Sequence, residues 1–397
     1  MRRADFTHSE IRVTLRVLHV TLQLAPESGG TTEMFYGLVR SLGDKGVESG
    51  VVTTTARGKP STPDWPLTVQ AFGESPLSLA WTGHARGIAR FLDEEAPHYD
   101  LIHIHQLWHY PHFAASLAAQ RASKPYIVSP VGALSPWAMS YRAWKKRLYW
   151  QVIQKSTLNK AAALHATAED EVAFARRLGL TSPISLIPNG IDPAQFANLP
   201  PRARLRELYP ELEGKQIVLF LGRLHPIKGL DLLARAFGGV ARARDDVRLL
   251  VVGPDTIGYG QHVRAVLEAE GVLSKTLFTG MLTGPDKLAA LAGSDMLALS
   301  SHSEVRSLVA LEAMVCQLPV ILTRQCSFPE VTRYGAGLEV DPDPKEFASA
   351  MESLLDDPER RRTMGGNGMR LVLEHLTWDH VVGELVDLYA RAVESSK

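Results

Sequence analysis

Apolar residues come along this chain in short runs closed by glycine, proline or small polar residues. Leu15 to Leu22, Leu101 to Ile104, Tyr126 to Val128, Ala163 to Thr167 and Ile184 to Ile187 read as the strands of one unit. Gln216 to Leu221, Val247 to Gly253, Thr276 to Gly280, Met296 to Leu299 and a run opened by Pro319 read as the strands of a second. Few of these runs alternate apolar with polar, which is the pattern of strands buried on both faces of a parallel sheet. Helical patterns separate them, among them Met34 to Leu42 and about ten residues from Ser307. The predicted fold class is therefore α/β, with two Rossmann-like, doubly wound parallel-sheet domains facing across a cleft. Pro188-Asn189-Gly190-Ile191-Asp192 followed by Pro200-Pro201 reads as a turn into a linker, so the first domain is assigned residues 1–198 and the second 199–376, with a terminal helical segment at 377–397.

In open parallel sheets ligands bind at the C-terminal edge of the strands, and several polar patterns fall there. The stretch from Leu299 to Thr323 reads as strand, polar turn (Ser300 to Ser303), helix and strand, which places a helix N-terminus at that edge, suited to an anion. Glu304 lies in the turn and Glu312 eight residues on, a separation of about 12 Å along a helix. That span fits two hydroxyl-rich groups joined by a diphosphate: sugar at Glu304, ribose at Glu312, phosphates at the helix start. The competing reading makes Glu304 a helix-start charge and Glu312 part of a solvated face, though apolar neighbours flank Glu312. Arg223 and Lys228 stand five apart in a glycine-bracketed loop after a strand, within reach of one diphosphate.

Gly29-Gly30 follows the first strand and precedes a helix, a weak signal for phosphate or sugar that lacks the full dinucleotide fingerprint and so counts against a nicotinamide dehydrogenase. His103 and His105 end another strand on the same side. Their spacing admits a metal, but no third ligand cluster is visible in the sequence. From Tyr141 to Lys155, apolar residues at Tyr141, Trp144, Leu148 and Val152 share a helix with Arg142, Lys145, Lys146, Arg147 and Lys155. Either those aromatics pack inward, or the face meets an anionic membrane or lipid diphosphate.

Taken together, Ser301-x-x-Glu304, Glu312-Ala313-Met314, Pro319-Val320, the Gly-Arg-x-x-x-x-Lys-Gly loop at 222–229 and Pro-Asn-Gly-Ile-Asp at 188–192 resemble the retaining GT-B glycosyltransferases of family 4. The resemblance implies transfer of a hexose from a nucleoside diphosphate sugar to a sugar or lipid-linked sugar acceptor, in exopolysaccharide or cell-surface glycan synthesis. It implies catalytic roles for His105, Arg223, Lys228 and Glu304, with Arg223 and Lys228 neutralising the leaving diphosphate and His105 beside the sugar and acceptor. It implies a donor site of Gly29, Gly30, Arg223, Lys228, Glu304, Arg306, Ser307, Leu308, Val309 and Glu312, no metal or other cofactor, and a terminal helix that crosses back onto the first domain. Three positions depart from the family pattern: Arg306 and Ser307 stand where Phe and Gly are usual, and Gln317 replaces a second Gly. Arg306 could form a surface ion pair beside Glu304 or read a carboxylate on the sugar, or the departures could mark a non-catalytic sugar-nucleotide binding or scaffold protein. Lys228, read as an exposed loop charge, should be removable without harm to the fold.

Composition narrows the rest. Lys plus Arg and Asp plus Glu are 43 each, so no global field draws the chain to nucleic acid. Two cysteines without metal spacing fit a reducing compartment, and a charged first stretch without an apolar core fits no secretory signal. No apolar run is long enough to span a bilayer, so the expectation is a cytoplasmic protein, peripheral on the inner face of the cell membrane.

Overall fold

The computed structural model describes residues 14–24, 30–56, 68–140 and 143–396. Gly29, Tyr141 and Arg142 lie outside them. Seven parallel strands build the first sheet: β1 (Arg16–Gln23), β2 (Glu48–Thr55), β3 (Val69–Gly73), β4 (Leu101–His105), β5 (Tyr126–Ser129), β6 (Ala163–Ala166) and β7 (Ile184–Leu186). They lie in the order β3-β2-β1-β4-β5-β6-β7. Six parallel strands build the second: β8 (Gln216–Leu221), β9 (Val247–Val252), β10 (Thr276–Gly280), β11 (Met296–Leu299), β12 (Val320–Thr323) and β13 (Gly337–Val340), in the order β10-β9-β8-β11-β12-β13. Each order reverses once, between β1 and β4 and between β8 and β11, so each sheet has one switch point at its centre. The strands beside these points are buried throughout or nearly so, which is why they read in the sequence as unbroken apolar runs.

The chain leaves the first domain after β7 and returns to it through the helix Trp378–Glu394. Val381, Val382, Leu385, Leu388 and Tyr389 of that helix share a core with Val17, Leu38, Leu101 and Ile127 of the first sheet and its first helix, Gly30–Asp44. The two crossings run side by side: Ile191 N donates to Leu376 O at 2.9 Å and Trp378 N to Ile191 O at 3.1 Å. Gly190 has a packing reason to be glycine, since a Cβ there would sit 2.7 Å from the Trp378 ring.

The segment predicted as one helix from Tyr141 is Ala143–Tyr149, a π-helical turn Trp150–Gln154, and Lys155–Asn159. Its predicted apolar stripe does not pack inward. Trp144, Leu148 and Val152 are exposed, while Trp150, Gln154 and Leu158 supply the buried face. The segment has two apolar stripes, and the one containing Trp150 won the core. No helix among the described residues is long and apolar enough to cross a membrane.

Candidate functional site

The loop after β8 and the loop after β11 leave neighbouring strands at the second sheet's switch point, so their side chains converge. Gly229 makes this possible. It adopts φ 61°, and a Cβ on it would fall 2.0 Å from Ser300 O. Ser300 Oγ in turn donates to Gly229 O at 2.8 Å. With the two loops locked together, Lys228 Nζ reaches Glu304 Oε1 at 2.7 Å, and Ser301 Oγ donates to Glu304 Oε2 at 2.9 Å. Burial alone would raise the Glu304 pKa, but the Lys228 charge and these hydrogen bonds outweigh it and hold the carboxyl below its ordinary value.

These groups line a cavity of about 490 Å³ between the domains. Arg223 and Lys228 enter it from one loop, Glu304, Arg306 and Ser307 from the next. Leu308, Val309 and Glu312 enter from the helix Leu308–Val315, whose start opens into the same space. Across the cavity stand Gly30, where a Cβ would lie 3.6 Å from Leu308 Cδ1, and the turn Val131–Ala133 with Ser135 and Trp137. Ser303 Oγ donates to Ser135 Oγ at 3.1 Å and Ser327 Oγ to Asp170 Oδ2 at 2.6 Å, tying the two walls. Among the described residues Arg223 makes no side-chain hydrogen bond or ion pair, so an exposed guanidinium faces the cavity. The Ser307 hydroxyl is buried at the helix start, beside the Glu304 carboxylate. An uncommitted cation, a lysine beside it and a helix start form an anion site, while two carboxylates are placed to accept from hydroxyls.

Several site residues carry no sequence signal that would have found them. Lys287, in the helix Gly284–Gly293, holds Glu312 Oε1 at 2.7 Å and leaves Oε2 buried without a partner. Glu171 is buried beneath the opposite wall and accepts from Gly132 N at 2.6 Å and Thr167 N at 2.8 Å, fixing the Val131–Ala133 turn. Desolvation raises its pKa against those hydrogen bonds. Glu330 pairs with Arg306 at 2.6 Å.

Arg306 differs from expectation. The residue is 4% exposed, its Nη2 donates to Glu330 and its guanidinium lies 4.9 Å over the Phe328 ring, so a protein carboxylate holds one arm of the fork assigned to a sugar carboxylate while Nε is buried without a partner. Gln317 is exposed and off the cavity, at the end of the helix Leu308–Val315, with φ 58° where a glycine would be unstrained.

His105 also sits apart from the cavity lining. Its Nε2 is 3.0 Å from His19 Nδ1, and its ring packs edge-on at 5.0 Å to Phe35. His19, from β1, is the third imidazole that the sequence did not reveal: ring nitrogens of His19, His103 and His105 all lie within 4.8 Å of one another. Internal partners take up His103 completely, with Tyr389 OH at 2.6 Å on one nitrogen and Ser129 Oγ at 2.8 Å on the other. Ser129 Oγ continues to His165 Nδ1 at 2.8 Å. Burial lowers all four histidines, His19 to about 3 and His165 to about 4, so each is neutral.

Two doubly wound parallel sheets with a phosphate-ready cleft between them define the GT-B class of glycosyltransferases. Residues 202–370 match the model of glycosyl transferases group 1 and residues 29–190 that of the glycosyl transferase 4-like domain, and the chain belongs to this family. It is 31% identical over 229 residues to D-inositol 3-phosphate glycosyltransferase of Kineococcus radiotolerans, covering 53% of this chain and 52% of that one. It is 32% identical over 215 residues to the GDP-mannose-dependent alpha-(1-6)-phosphatidylinositol monomannoside mannosyltransferase of Mycolicibacterium smegmatis, covering 52% and 56%. These matches thus span about half the length of the curated relatives. The fold is shared end to end with Anabaena HepE, solved with UDP and glucose, at TM-score 0.77 and 18% identity over 95% of this chain and 99% of that one.

Proposed function

We propose that this protein is a retaining glycosyltransferase that moves a hexose from a nucleoside diphosphate sugar to a sugar or lipid-linked sugar acceptor, in exopolysaccharide or cell-surface glycan synthesis. The observation that carries this reading is the convergence of Arg223, Lys228, Glu304, Glu312 and the Ser307 helix start on one interdomain cavity. Arg223, Lys228 and the helix start receive the diphosphate, Glu312 the ribose and Glu304 the sugar hydroxyls. Charge that develops on the departing diphosphate meets cations already in place, the largest lever in such chemistry. These side chains supply the needed positive charge without a metal.

Same-face attack is supported by which acids line the cavity. Glu304 and Glu312 do so, both on the donor side and each held by a lysine, whereas Gly30, Val131, Gly132 and Ser135 form the facing wall. The anomeric carbon–phosphate oxygen bond breaks, the acceptor oxygen bonds to the same face of that carbon, and the acceptor proton passes to the departing phosphate oxygen. His105 supports this wall from behind through His19 and Phe35. The acceptor enters over the first domain, whose basic helical segment from Ala143 meets the anionic inner face of the cell membrane.

A thermal-shift panel of UDP-, GDP- and ADP-sugars, followed by donor hydrolysis without acceptor, tests the reading. One series should stabilise the protein by about 2.7 kcal/mol at a hundred times its dissociation constant, and the same donor should be hydrolysed slowly. Binding without hydrolysis or transfer to any acceptor would instead make this a non-catalytic nucleotide-sugar binding protein.

A further inference from the structure

Exposed apolar side chains gather on one side of the first domain. In the turn Pro76–Leu79, Leu79 is 95% and Leu77 61% exposed, and Trp144, Leu148 and Val152, four residues apart, are 71%, 63% and 67% exposed. The turn and the helix are neighbours, since the Trp81 ring meets the Tyr149 ring edge-on at 5.6 Å. Large apolar side chains exposed on two adjoining elements mark an interaction site.

Charge identifies the partner. Residues 101–168 contain no Asp or Glu but eight basic residues: two at 121–124, four at 142–147 and two at 155–160. Positive charge is thus concentrated along the sequence on both sides of this stripe, and Arg147 within it is exposed. Apolar residues at the centre with basic ones beside them fit a bilayer with anionic headgroups.

We propose that Leu77, Leu79 and the Trp144, Leu148, Val152 stripe form one two-part wedge that seats in an anionic bilayer, with the exposed Arg147 at the headgroups. This rests on the membrane reading above and deepens it by assigning a second inserting element and an orientation. The wedge adjoins the cavity mouth. The short helix Pro136–Ser140, which contributes Trp137 and Ala138 to the cavity, immediately precedes it in sequence, and Lys146 Nζ donates to Ala138 O. A lipid-linked acceptor could then reach the donor without leaving the interface.

Co-sedimentation with phosphatidylcholine vesicles, with and without phosphatidylglycerol, at low and high salt, tests this. Wild type should pellet with the anionic vesicles at low salt and less at high salt. Leu77→Ser/Leu79→Ser and, separately, Trp144→Ser/Leu148→Ser should each weaken partition by at least about tenfold, with unchanged melting and nucleoside diphosphate affinity. Release by the helix pair but not by the Leu77/Leu79 pair overturns the wedge and leaves the membrane reading standing. Wild type remaining in the supernatant removes both, and nucleotide binding then shows separately whether the donor site stands. A lipid-free dimer by sedimentation velocity that these substitutions dissolve would make the face a contact between copies, which also overturns the wedge.

Discussion

Arg306 lines the cavity yet is paired with a protein carboxylate. A guanidinium that is 5% exposed in its side chain holds a Glu330 that is 19% exposed, so Arg306→Phe leaves a mostly buried carboxylate without its cation. The expected loss is about 3 kcal/mol of stability, recovered in Arg306→Phe/Glu330→Leu, with the rate ratio for UDP-glucuronate over UDP-glucose unchanged throughout; a shifted ratio in the double variant would restore the sugar-reading role. Lys228 is likewise not the exposed loop charge its sequence context implied, because its side chain and that of Glu304 are 18% and 16% exposed. Lys228→Ala should therefore cost about 1–3 kcal/mol in the melt as well as more than nine-tenths of turnover. Lys228→Ala/Glu304→Gln should regain the melt without the activity, and regained activity would remove Lys228 from the reaction.

At the level of elements, the helix Leu308–Val315 was legible because an apolar core follows a polar turn and precedes a proline, and its N-terminus duly opens on the cavity. What spacing could not supply were the partners brought from elsewhere: Lys287 is 25 residues from Glu312 in sequence and Glu330 is 24 from Arg306. The strands of both sheets were legible for the opposite reason, since burial on two faces forces a local composition. The stripe on Trp144 was visible too, but its direction was not, because periodicity identifies an apolar face without saying what covers it. Gln317 offers an element-scale test. It closes this helix at φ 58°, a conformation glycine enters without strain, and it is exposed. Gln317→Gly should add about 1 kcal/mol to unfolding stability and leave donor KM unchanged; denaturant titration and steady-state kinetics check the two halves.

The whole molecule carries a record of pH in its first domain. His19, His103, His105 and His165 are buried and held neutral, so their folded pKa values lie below the unfolded value near 6.5. In that case the unfolded chain binds the extra protons. Stability is complete above about pH 6.5 and falls as pH drops toward 4, with each histidine contributing about 1.4 kcal/mol per pH unit. Melts at pH 7.5, 6.0 and 5.0 should show the decline, and His165→Gln should make it shallower by about a quarter; a flat wild-type profile would mean that the cluster is protonated or solvated in the folded state.

Because the outgoing strand at Ile191 and the returning one at Thr377 are bonded to each other, the halves are joined at one pin and not by two separate tethers. Relative motion is thereby reduced to swinging about that pin, and the Trp378 ring wedged against Gly190 acts as its bearing. The cavity's width and the seating of that indole become a single variable. Gly190→Ala, outside the cavity lining, should hold the leaves apart: small-angle scattering should record compaction on adding nucleoside diphosphate in the wild type and much less in the variant, and equal compaction in both would show that the bearing turns freely without the glycine.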